Sequence, residues 1–136
     1  MAVYERRYQR VTKEGLEKCI RWCQNYLNLR DWHVELYIGS RDKGAPSTGW
    51  TVIDWVDAYH CVVELWIDMN KCKEKDINPY VAACHEMIHV LVMGKCHIGL
   101  DVDSDNDEYI NYAFQDLLYG EFCAGSGVKK VGLKEL

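Results

Sequence analysis

His85-Glu86-Met87-Ile88-His89 is the stretch that decides how this chain is read. On a helix, residues four apart stand one turn apart on one face, so two imidazoles at this spacing can converge on a single ion such as Zn²⁺. The Glu86 carboxylate, beside the first histidine, then reaches a water on that ion and can accept its proton. Five letters are a short signal, and the flanking sequence has to carry the rest.

The flanks read as a helix. Asn78 is a suitable N-cap, and Pro79 sits where a proline opens a helix. Tyr80 to Cys84 leads into the motif, Val90 to Met93 leads out, and Gly94 is a natural terminator. Apolar residues surround this helix on almost every side, which predicts a central, buried element. Polar groups buried there need partners, and an ion coordinated by His85 and His89 would supply them.

Working outward, Thr12 caps a predicted helix over 13–28, with Leu16, Cys19, Ile20, Cys23 and Leu27 as its core stripe. Alternation predicts strands over 32–38, 50–56 and 59–68, with a Gly- and Pro-containing loop at 39–48. Residues 70–76 read as a polar connection. A last amphipathic helix is expected over 106–119, burying Ile110, Ala113, Phe114, Leu117 and Leu118, and ending at Gly120. The expected fold is α+β: an N-terminal helix, a small, mostly antiparallel three-stranded sheet, the motif helix and a following helix. One domain, 1–123, is expected, with 124–136 as a flexible tail.

Composition narrows the function. The 136 residues suffice for one domain, and a net charge of −5 argues against non-specific nucleic-acid binding. Arg6, Arg7, Arg10 and Lys13 read as a solvated approach to the first helix. No segment suits a membrane span or a signal peptide, so a cytoplasmic location is expected. The seven cysteines are odd in number and contain no C-x-x-C pair, and they read as thiols. Cys19 and Cys23 have ligand-like i, i+4 spacing, but they fall on the core stripe and are read as packing.

A catalytic ion needs a third protein ligand. Lys95, six residues after His89, cannot serve as an ammonium, and His97 lies at no ligand spacing we recognise. Glu108, nineteen residues after His89 on the next predicted helix, is the better candidate, with Asp107 as the runner-up. The acidic run from Asp101 to Glu108 fails the calcium-loop template, since Asn106 stands where a glycine is needed and Tyr112 where a glutamate is.

His85-Glu86-x-x-His89 together with Asp107-Glu108, Ile110 and Phe114 resembles the gluzincins, the thermolysin-like metallopeptidases, and Lys95 departs from the metzincin pattern. The resemblance covers residues 78–119 and extends to the upstream strands. As a whole the chain is most similar to minimal single-domain gluzincins and to short metallopeptidase-like proteins of phages and prophages. It departs from them in the short stretch 95–107, and in having Tyr112 where a carboxylate would support His85. The second domain of thermolysin-like enzymes is also missing.

The resemblance implies zinc held by His85, His89 and Glu108, with Glu86 as general base in peptide-bond hydrolysis. Tyr112 and His97, with Tyr119 and His60 behind them, are the candidates for steadying the oxyanion. A peptide or unfolded segment is the expected substrate, added as a strand at a sheet edge located at Val62–Asp68. The alternative is a non-catalytic zinc-containing binding module on the same scaffold. Cys123 is expected to be a core thiol, and its capture of the open zinc position is the rarer reading.

Overall fold

A computed structural model describes residues 2–6, 9–41, 47–56, 61–97 and 104–126; the side chains of 2–6, 9–10, 94–97, 104–111 and 126 lie outside that description. The first element is a short antiparallel hairpin, β1 (Ala2–Arg6) and β2 (Gln9–Thr12). Of the basic residues expected on a helix approach, Arg6 and Arg10 therefore belong to strands and Lys13 opens the helix, while Arg7 lies outside the described residues. α1 (Lys13–Tyr26) follows at once, and the Gly15 amide donates to Thr12 Oγ1 at 3.0 Å. Leu16, Cys19, Ile20 and Cys23 are buried on it, as the stripe predicts.

The main sheet holds β3 (His33–Ile38), β4 (Gly49–Trp55) and β5 (Cys61–Ile67) in the order β3-β5-β4. β4 pairs antiparallel with β5, whereas β3 pairs parallel with it. The sheet is mixed rather than mostly antiparallel. β5 is also central, so the substrate edge expected at 62–68 is already occupied on both sides. The hydrophobic pattern carries the reason: Cys61, Val63, Leu65 and Ile67 are all buried, and the strand with the most apolar inner face takes the middle. Of the segment between β3 and β4, residues 42–46 lie outside the described residues. At its two ends the Gly39 amide donates to the Ile67 carbonyl at 2.8 Å, and the Asp68 amide to that of Thr48 at 2.9 Å.

α2 (Met69–Lys75) replaces the expected polar connection. Its signals were present in the sequence: Asp68 accepts from the Lys71 amide as N-cap, and Met69 and Cys72, three apart, are buried. α3 (Pro79–His97) carries the motif and packs on α1, α4, β4 and β5. Asn78 caps it through the Tyr80 amide at 2.9 Å. The helix runs through Gly94 instead of stopping there.

α4 (Ser104–Ser126) likewise runs through Gly120 and past the expected domain boundary at 123. An interior glycine costs only about 1 kcal/mol relative to alanine, which packing readily offsets. Here Leu118, Tyr119, Phe122 and Cys123 continue one buried stripe across it. Stopping the helix at 120 cuts that stripe and shifts the apparent core face. Phe114 and Leu117, expected inside, are 53% and 64% exposed. The architecture among the described residues is α+β, with four helices and a small mixed sheet, and none of those helices is long and apolar enough to cross a membrane.

Candidate metal centre

His85 and His89 are half-buried on one face of α3, their ring centroids 4.8 Å apart and their planes at 78°. With Glu86 they form a donor group whose ligand atoms lie within 4.8 Å of one another, and such a group can hold a metal ion. All three line a cleft of about 460 Å³ between α3 and β4, which Tyr112 of α4 also borders. The size suits a ligand of a few residues.

His85 and Glu86 are each oriented by a neighbour. His85 Nδ1 donates to Gln115 Oε1 at 2.9 Å, which fixes the tautomer and turns Nε2 into the lone-pair nitrogen. Gln115 thus does the supporting work for which the sequence offered no carboxylate. It was legible only by carrying the wheel two turns beyond Glu108, because 108, 115 and 122 are heptad-related.

Glu86 is only 6% exposed although it lines the cleft. Thr51 Oγ1 of β4 donates to Glu86 Oε1 at 2.8 Å. Close approach of the strand depends on Gly49: a Cβ there would stand 2.9 Å from Glu86 Cγ and 3.1 Å from Oε2. Strand alternation puts Gly49, Thr51 and Ile53 on the inner face, so a hydroxyl and a missing side chain meet the carboxylate where apolar residues would otherwise pack. Sequence reading passed over both residues, and the signal was polarity on a face that is otherwise core.

The oxyanion candidates separate. Tyr112 lies at the cleft, its ring 5.0 Å from that of His85, and it is 65% exposed. Tyr119 is buried away from the cleft, accepting from Asn78 Nδ2 at 3.1 Å. The side chain of His97 and all of His60 lie outside the described residues.

Glu108 and Asp107 fall in the first turns of α4, and their side chains also lie outside the described residues. Their positions in the helical register differ. Position 108 is one turn before Tyr112 and two before Gln115, both of which reach His85. Position 107 shares its register with Phe114 and Glu121, both exposed. Cys123 is a buried thiol on α4, in keeping with the core reading. No protein-family model, curated protein or solved structure matches this chain.

Proposed function

We propose that this chain is a zinc-dependent peptidase of the gluzincin kind, built on a zincin-like arrangement of sheet, motif helix and glutamate helix. The observation that carries the reading is Glu86. It is a buried carboxylate held by Thr51, beside two convergent histidines, at the floor of an open cleft. A purely structural ion site has no use for such a group.

His85 and His89 would hold the ion, and Glu108 is assigned as third ligand on the register it shares with Tyr112 and Gln115. When bound, zinc supplies Lewis acidity toward the scissile carbonyl and toward a water molecule. The Glu86 carboxylate takes a proton from the attacking water as its oxygen bonds to the carbonyl carbon. The same proton then passes to the leaving nitrogen as the C–N bond breaks. Tyr112 is assigned to the oxyanion, since its ring borders the cleft beside His85. The substrate would lie along β4, an edge strand that flanks the cleft and leaves backbone groups available for strand addition.

Glu86→Gln is the decisive test. Hydrolysis of a labelled, denatured protein should fall by about 10²- to 10⁴-fold while zinc content is unchanged. Full activity in this variant, or loss of its zinc, would show that the role given to Glu86 is wrong. Glu108→Ala should lose zinc where Asp107→Ala keeps it.

A further inference from the structure

A second group of metal-class donors lies outside the cleft. Cys19 and Cys23 stand one turn apart on α1, and Cys84 meets them from α3. All three are wholly buried. The Cys19 and Cys84 sulfurs are 4.0 Å apart, and the three sulfurs lie within 4.8 Å of one another. A tetrahedral zinc with Zn–S bonds of about 2.3 Å holds its sulfurs about 3.8 Å apart, so only small side-chain movements separate this cluster from a coordination shell. A core needs no such convergence. One buried thiol packs as a small hydrophobe, but S–H groups are weak donors and acceptors, and gathering three of them gains little as hydrogen bonding. Cys123, also buried, lies on α4 and is not part of this group.

We propose that Cys19, Cys23 and Cys84 bind a structural zinc ion. The three thiols are wholly buried and none lines the cleft, so such an ion would tie helices together and not meet a substrate. It would clip α1 to α3 one residue before His85. Loading it requires the thiols to give up protons, so uptake is coupled to the docking of α1 on α3. The proposal does not depend on the peptidase reading.

X-ray absorption at the zinc edge of the unaltered, zinc-loaded chain should show sulfur neighbours at about 2.3 Å. A shell of nitrogen and oxygen alone overturns the proposal, and this measurement needs no variant to fold. Zinc content is expected at two ions per chain, falling to one in His85→Ala/His89→Ala and to one in Cys19→Ser/Cys23→Ser. Cobalt loaded into the histidine variant should give sulfur-to-metal charge-transfer absorption. A folded histidine variant that holds no metal overturns the thiolate site. A single zinc bound through sulfur and indifferent to the histidine substitutions keeps the thiolate site and removes the peptidase instead.

Discussion

Cys84 and His85 are neighbours in the chain, yet they look into opposite kinds of surroundings. His85 turns to a cleft open to solvent, where Gln115 on α4 fixes its ring and Thr51 on β4 fixes the adjoining carboxylate. Cys84 turns to the packed junction with α1, where the sulfurs of Cys19 and Cys23 lie within 4.8 Å of its own. The cleft has donors of mixed chemistry, of which His85 and Glu86 are held by partners on other elements, with room for a ligand. The thiol junction has donors of one chemistry and no access. On the proposed reading a single helix serves one site for reaction and one for holding an ion, and the difference lies in what the neighbouring elements present to it.

The sharpest way to break this contrast is to fill the space under Glu86. Gly49→Val places branched carbon where the Glu86 side chain now lies. Displacing a catalytic group by about 1 Å can cost about 100-fold in rate, and that is the loss expected. Zinc content should not change, because neither histidine is touched. A variant with unaltered hydrolysis would mean that the Glu86–β4 contact has no role in turnover.

Gln115→Ala addresses the metal rather than the base. Supporting hydrogen bonds to metal-bound histidines are worth roughly 10- to 100-fold in metal affinity, and zinc binding at the cleft should weaken by that much. Competition with a chelator would measure it. Since Gln115 lies on α4 and Cys19, Cys23 and Cys84 lie on α1 and α3, metal held through sulfur should be unaffected. Equal weakening at both places would mean that α4 packing, and not the His85 bond, is what the substitution disturbs.

These two sites were unequally legible in the sequence. The cleft's histidines and carboxylate came from a local spacing on one helix, and local spacing survives any error about topology. Gln115, Thr51 and Gly49 did not, because each acts across elements whose faces were uncertain. Stopping α4 at Gly120 turned its core stripe toward Phe114 and Leu117, which hid the Gln115 face. Taking β5 as an edge hid β4, the strand that touches Glu86. The parallel pairing of β3 with β5 arises from burial competition among three strands, which no one strand's alternation records. The thiol junction was hidden most completely. Cys19 and Cys23 are indistinguishable from core residues until Cys84, 61 residues on from Cys23, is brought beside them.

Thr51→Val should have a smaller effect than either change above. It removes one hydrogen bond to a carboxylate, worth about 1.5 kcal/mol or somewhat more, and so about 10-fold in kcat. The loss should fall on kcat and leave KM nearly unchanged, because Thr51 orients Glu86 and is not assigned to hold substrate. Thr51→Ser restores the donor and should restore the rate. If serine fails to rescue, the methyl group's packing explains the valine result and the hydrogen bond does not.

The smallest expected effect tests whether burial alone makes a thiol a ligand. Cys61 is as hidden as many core residues, and burial pushes its thiol up, but it lies on β5 outside the junction of Cys19, Cys23 and Cys84. Cys61→Ala should cost about 1 kcal/mol of stability, as a small core truncation does, and leave zinc content untouched. Cys23→Ala removes a thiol of similar burial and should lose an ion as well. Thermal unfolding of the two variants, each with and without zinc, distinguishes the cases. In Cys61→Ala the added ion should raise the melting temperature as much as in the unaltered chain, and in Cys23→Ala by less. Identical responses would reduce the junction to ordinary packing, and the contrast between Cys84 and His85 would then be one of polarity alone.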